Sequence, residues 1–203
     1  ARVAGPGCTM IDLGAGNCAK AASLFPLLHP DQYVAIDISR EFLNESLARL
    51  RLRFPHIEMT ALGQDFSSRL DLPASISHAR RLFFYPGSSI GNFTPDEARA
   101  FLRRARAQCD NDGGLLIGID LLKDEAVLAE AYDDALGVTA AFNLNVLRHV
   151  NALTGADFDV RGWRHHAFFN RAESRIEMHL EALRPMTVSW AGGARSFAKG
   201  ECI

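Results

Sequence analysis

Charge of one sign is what this sequence has least of. Its 22 Lys and Arg residues are set against 24 Asp and Glu, for a formal net charge of -2. Such a balance supplies no broad electrostatic footprint for nucleic acid or an anionic membrane, and small neutral or zwitterionic ligands fit better. Cysteine is also scarce. Cys8, Cys18, Cys109 and Cys202 lie far apart and include no Cys-x-x-Cys pair, which argues against both a zinc site and a disulfide framework and makes a reducing cytoplasm the default. No apolar run approaches the roughly 18 residues of a membrane span, and no signal peptide is visible. Internal repeats, low-complexity segments and linkers are likewise missing.

What is present is an alternation. With 203 residues, 48% of them hydrophobic, the chain can build one sizeable core and a smaller appended unit. Residues 11–17 read as a strand ending in a tight glycine turn, 19–28 as a helix, and 33–37 as a second apolar strand. A helix over 40–53 follows, with Ser39 as N-cap and Phe42, Leu43, Leu47 and Leu50 at helical spacing. Arg49, Arg51 and Arg53 splay around that helix at i, i+2 spacing, so they read as a solvated face. Residues 56–62 form a third strand, and 81–85 an apolar run suited to burial on both faces. Thr94, Pro95 and Glu97 mark a helix start with a capping box, and Phe101, Leu102 and Ala105 form its buried stripe. A fifth strand spans 115–120. Near-continuously apolar strands alternating with helices predict a Rossmann-like α/β domain with a parallel sheet.

Beyond Asp120 the pattern changes. Helices are expected over 123–135 and 138–153, then paired antiparallel strands over 163–169 and 174–183, with 188–190 extending that sheet and 200–203 reading as the start of another strand. The domain boundary is placed after residue 121, giving units 1–121 and 122–203.

Three groups fall at the carboxyl ends of neighbouring strands, where open α/β sheets bind ligands. Gly14 and Gly16 allow positive φ and close approach of a ligand. Asp37, 23 residues beyond Gly14, sits where an acid accepts hydrogen bonds from ribose hydroxyls. Asp65-Phe66, an acid followed by an aromatic, suits the exocyclic amine and face of an adenine. The plainer alternative is that both acids cap helices or turns. A dinucleotide-binding dehydrogenase would normally carry the third glycine of G-x-G-x-x-G, but Ala19 stands there. Lys20 beside it can pair with a carboxylate such as the methionine tail of S-adenosylmethionine, which tilts the reading from NAD towards a methyltransferase. His165 and His166 are adjacent, but strand neighbours point to opposite faces and no third ligand is evident, so no metal is expected.

Longer strings narrow the class. Asp12-Leu13-Gly14-Ala15-Gly16, the stretch 84–93 (Phe-Tyr-Pro-Gly-Ser-Ser-Ile-Gly-Asn-Phe), Gly118-Ile119-Asp120-Leu121-Leu122-Lys123-Asp124 and Ala131-Tyr132-Asp133-Asp134 together resemble the S-adenosylmethionine-dependent L-histidine Nα-methyltransferases. That family makes trimethylhistidine (hercynine) on the way to ergothioneine. The resemblance continues through 137–145 and Arg175-Ile176-Glu177-Met178, nearly the whole chain. It implies that Gly14, Lys20, Asp37, Asp65, Phe66 and Gly87 are cofactor residues. By the same resemblance Asn92 and Tyr132 hold the substrate's α-carboxylate and Met178 lines the substrate pocket, in a substrate-binding second unit. Positioning alone is expected to drive catalysis, with no covalent or acid-base residue. From the residues alone, Asn92 would be a loop residue bonding its own backbone. Tyr132 would be a helix aromatic in a stripe with Leu128 and Leu136, and Met178 would be core. A related enzyme acting on another amine, or a non-catalytic S-adenosylmethionine-binding domain, remains as an alternative. The partner expected is a small amino acid, L-histidine, with neither nucleic acid nor membrane, and the chain is expected to be a cytoplasmic monomer.

The resemblance also implies that both ends are cut, since the family's imidazole-reading carboxylate and hydroxyl lie beyond Ile203 and part of its pocket precedes Ala1. Residues 1–203 alone are therefore expected to keep most of the cofactor site and to be inactive or nearly so. Methyl incorporation into histidine by the intact protein and by this segment checks that expectation, and equal activity overturns it.

Overall fold

The computed structural model describes residues 5–203. The chain divides into two compact units, Ala1–Asp120 and Leu121–Ile203.

The first unit is organised around five parallel strands: β1 (Thr9–Leu13), β2 (Gln32–Asp37), β3 (Glu58–Gly63), β4 (Arg81–Tyr85) and β5 (Gly114–Ile117), in the spatial order β3-β2-β1-β4-β5. All residues of β1 and β4 are buried, as strands covered on both faces must be. Their alternating side chains feed two cores. Met10, Tyr33, Ala35, Leu82 and Phe84 pack in one core with Phe25, Leu43 and Leu47. Ile11, Val34, Ile36, Phe83 and Tyr85 pack in the other with Phe101 and Ala105. This is the Rossmann-like arrangement.

Local signals account for most of the helices. Helix α3 (Arg40–Arg53) starts where Ser39 Oγ accepts the Phe42 N–H, at 3.4 Å. It buries Leu43, Ser46, Leu47 and Leu50, whereas Phe42 remains 44% exposed and does not share the buried stripe. Helix α4 (Pro95–Ala107) has both halves of its capping box: Thr94 Oγ1 accepts the Glu97 N–H and Glu97 accepts the Thr94 N–H. Phe101 and Ala105 are buried, with Leu102 at the edge of the stripe. The single helix expected over 19–28 is instead two short ones, α1 (Ala19–Ala22) and α2 (Phe25–Leu28). Pro26 has no N–H to continue the ladder, so the chain breaks and restarts with proline in the first turn.

The second unit holds α5 (Glu125–Tyr132), α6 (Val138–Thr154), the hairpin β6 (Trp163–Asn170) and β7 (Arg175–Ala182), and a second hairpin, β8 (Met186–Trp190) and β9 (Gly193–Phe197). Its core gathers Leu147, Trp163, Leu180, Ala182, Val188 and Phe197. Helix α5 is shorter than 123–135. Asp124 caps its start by accepting the Ala126 N–H, and Asp134 leaves the helix to accept the N–H groups of Val138 and Thr139 at the start of α6. Leu136 is consequently outside the helix and 90% exposed, so it forms no stripe with Tyr132. Residues 188–190 do not extend the β6-β7 sheet either. They pair with β9 across the Ala191-Gly192 turn, forming a sheet of their own. It is residues 201–203 that bond to β7, with Leu180 and Ile203 exchanging N–H···O bonds of 2.9 and 3.0 Å.

Among the described residues no helix is long and apolar enough to cross a membrane.

One side chain closes the amino end of the sheet. Arg81 is 1% exposed. Its Nε donates to the Ser77 carbonyl (2.7 Å), Nη2 to the Ile76 carbonyl (2.9 Å), and Nη1 to the carbonyl and Oε1 of Gln108 (3.0 and 3.1 Å). The fork thus ties the loop before β4 to the end of α4. Arg81→Met is expected to lower the unfolding free energy by about 3 kcal/mol, because carbonyls stay buried without donors. Arg81→Lys should recover only part of the loss, lacking the planar fork. Urea denaturation checks this, and a loss below about 1 kcal/mol for the Met variant overturns it.

Candidate functional site

Strand β1 passes to β2 on one side of the sheet, whereas β4 lies on the other side of β1. The loops leaving β1 and β4 therefore diverge, and the crevice between them is the topological switch point at which such sheets bind ligands. A cavity of about 260 Å³ lies there.

One wall is the turn after β1. Gly14 and Gly16 have φ of 70° and 52°, the left-handed region that glycine enters without strain. The amides of this turn find partners on β2: the N–H groups of Gly14 and Ala15 both donate to the Ile36 carbonyl (2.9 and 3.0 Å), and Gly16 N–H donates to Asp37 Oδ2 (3.0 Å). Asp37 Oδ1 accepts the Ile38 N–H at 2.8 Å. Its carboxylate thus serves the turn, and each oxygen retains a further lone pair for a ligand hydroxyl.

The opposite wall comes from Tyr85, Pro86, Gly87 and Ser89 after β4, with the Phe66 ring from the segment after β3. Phe66 stands 3.8 Å from where a Cβ on Gly14 would lie, and packs edge-on to Tyr85 with ring centroids 5.6 Å apart. Gly118 lets this wall form: its N–H donates to the Tyr85 carbonyl at 2.9 Å, and a Cβ there would collide with the backbone of Pro86.

Gly14, Gly16, Lys20, Phe66 and Gly87 therefore line one cavity. Asp37 acts on its wall through Gly16. Asp65 is exposed and turned towards its own loop, where Oδ1 accepts from the N–H and hydroxyl of Ser67 at 2.9 and 2.5 Å. Those bonds hold the Asp65 carboxyl below its ordinary range. Asn92 ends a 3-10 turn over Ser89–Asn92 and is exposed. Tyr132 and Met178 belong to the second unit, Tyr132 half-buried at the end of α5 and Met178 on β7, 41% exposed rather than core. His165 and His166 do point apart: His165 meets Asn143 and Tyr132, and His166 packs beside Phe168.

Asp12, in the sequence only one member of the Asp12–Gly16 string, is a further candidate. It lines the cavity, is 3% exposed, and accepts a hydrogen bond from the Tyr33 hydroxyl at 2.8 Å. Burial pushes its pKa up to about 6 against the opposing Tyr33 bond, with the Asp37 charge adding to the rise. The signal was an acid inside an otherwise almost wholly apolar strand. A buried carboxylate facing a cavity that also carries Lys20 can receive a ligand bearing both a cation and an anion.

Comparison with known proteins places the chain in a family. The chain is 38% identical over 179 residues to histidine N-alpha-methyltransferase of Mycolicibacterium smegmatis, covering 86% of this chain and 55% of that protein. It is 32% identical over 187 residues to ergothioneine biosynthesis protein 1 of Neurospora crassa, covering 80% of this chain and 21% of that protein. The chain thus spans about half the length of the first relative, or less for the second. The CcbJ methyltransferase of Streptomyces caelestis shares its fold, with a TM-score of 0.51 at 16% identity over 97% of this chain and 66% of that one. Residues 1–203 all match one family description, and the chain belongs to the S-adenosylmethionine-dependent, histidine-specific methyltransferases.

Proposed function

We propose that the protein carrying this chain transfers methyl groups from S-adenosylmethionine to the α-amino group of L-histidine, forming hercynine for ergothioneine biosynthesis. The observation that carries this reading is the family match over the whole chain, supported by the relative named for that activity.

The residues present suit the cofactor. Two glycines without Cβ atoms admit its close approach, Phe66 offers an aromatic surface, Asp12 a buried anion and Lys20 a cation. We assign Gly14, Gly16, Lys20, Asp37, Asp65, Phe66 and Gly87 to it, and add Asp12. Asp37 keeps a lone pair on each oxygen for a ribose hydroxyl, while Asp65 would accept from the adenine amine through the oxygen that Ser67 leaves free. Asn92 in the first unit, and Tyr132 and Met178 in the second, are proposed substrate residues by their matching positions in the family.

When bound, S-adenosylmethionine supplies an electrophilic methyl group for in-line displacement. The chain's own work is then orientation: polar groups fix the amino acid's carboxylate so that its neutral amine faces the reacting carbon. No side chain has to bond covalently to the substrate.

Two measurements test this. With the intact protein, mass spectrometry should show trimethylated histidine, with kcat/KM for histidine at least about 100-fold above that for other free amino acids. Preference for another amine, or cofactor binding without turnover of any amine, overturns the assignment. Calorimetry should show affinity for S-adenosylmethionine falling from about pH 7 to about pH 5, as Asp12, with its pKa pushed up to about 6, takes up a proton and loses its attraction for the ligand's cationic groups. Asp12→Asn should weaken binding about tenfold at pH 7 and flatten that slope. Unchanged affinity and slope in this variant remove Asp12 from the site.

A further inference from the structure

Helix α5 stops at Tyr132, and the carbonyl of this last helical residue has lost its helical partner. The partner comes from β6. His165 Nε2 lies 2.7 Å from the Tyr132 carbonyl oxygen. The other ring nitrogen, Nδ1, lies 3.0 Å from Asn143 Nδ2 on α6, and the same amide nitrogen lies 3.1 Å from the His179 carbonyl on β7.

These contacts assign one another. A backbone carbonyl only accepts, so the Asn143 atom facing His179 is the NH2 group, and it also donates to His165 Nδ1. That nitrogen therefore carries no proton. The ring proton resides on Nε2, the one orientation in which His165 can donate to the Tyr132 carbonyl. Both polar ends of a half-buried imidazole are matched, and the end of α5 is joined to α6 and both strands of the β6-β7 hairpin.

A packing role would not require this chemistry. Leu180 lies directly opposite His165 in the hairpin, so an apolar side chain would suit this face as well. The Ala167–Met178 pair, two residues along, faces the same side, because side chains alternate across a strand. Two residues beyond Tyr132, Asp134 holds the chain to the start of α6 through Val138 and Thr139. Tyr132 is thus held at its own carbonyl, with a second anchor two residues further on.

We propose that His165 is a positioning residue: kept in its Nε2-protonated form by Asn143, it sets the placement of Tyr132 and thereby the aim of the Tyr132 side chain at the substrate. This rests on the reading of Tyr132 as a substrate-binding residue.

The test uses the intact protein with His165→Met and His165→Gln. The two replacements have similar length and differ in whether a donor faces the Tyr132 carbonyl. His165→Met is expected to raise KM for histidine about tenfold, the effect of losing one hydrogen bond to a half-buried carbonyl. Its kcat and its affinity for S-adenosylmethionine should change by less than about twofold, and His165→Gln should restore KM to within about twofold of native. A native KM in His165→Met overturns the proposal, and so does equal impairment of the Met and Gln variants, which would indicate packing alone. Tyr132→Phe separates the premise from the inference. If Tyr132→Phe leaves KM for histidine unchanged, the substrate reading fails and the proposal falls with it. If Tyr132→Phe raises KM while His165→Met does not, only the positioning role fails.

Discussion

The first unit depends on how the amides of the turn after β1 are satisfied. Three successive N–H groups, on Gly14, Ala15 and Gly16, point across to β2, where one carbonyl takes two of them and the Asp37 carboxylate takes the third. Parallel pairing with β2 puts Leu13 opposite Ile36, so the acceptors are in register as soon as the strand ends. The turn is therefore held open by its neighbour rather than by a helix, since α1 has only four residues. With that wall fixed, the separation of the β1 and β4 loops becomes a crevice, and Asp12 below it becomes a buried charge in want of a cation.

The two ends of the β4 strand divide the labour. At its start Arg81 spends every donor it uses on protein acceptors around Ile76, Ser77 and Gln108. At its finish Tyr85 runs into the Pro86-Gly87 wall, kept in place by the close approach of Gly118. One end is closed by satisfied hydrogen bonds. The other carries a cavity lined with polar groups that can take on a ligand, which follows from every strand leaving the sheet at the same edge.

The second unit solves a different problem, that of ending helices where polar backbone must still be paired. Asp124 begins α5, His165 donates to its last carbonyl, and Asp134 begins α6. These side chains replace the missing helical partners, and in doing so they fix Tyr132, which is otherwise only a half-buried aromatic. The pair of hairpins adds the apolar mass, with Trp163, Val188 and Phe197 meeting in one core.

Much of this was legible in residue order because the signals are local. Continuous apolar runs mark buried parallel strands, Ser39 and Thr94 announce helices within four residues, and glycine at 14 and 16 marks a turn that needs positive φ. Local reading failed where a distant partner decided the outcome. Residues 188–190 carry no mark showing that they pair with β9 and not β7, and nothing near His165 in the string shows that its ring meets the Tyr132 carbonyl. The sequence by itself determined a parallel α/β unit, its glycine turn and the family to which the chain belongs. Only the tertiary structure decided that Asp12 is a buried carboxylate with a raised pKa and that His165 meets the Tyr132 carbonyl. The reason is physical: burial and the pairing of hydrogen-bonding groups are properties of space, and residues 21 or 33 positions apart become neighbours only once strands and helices have packed.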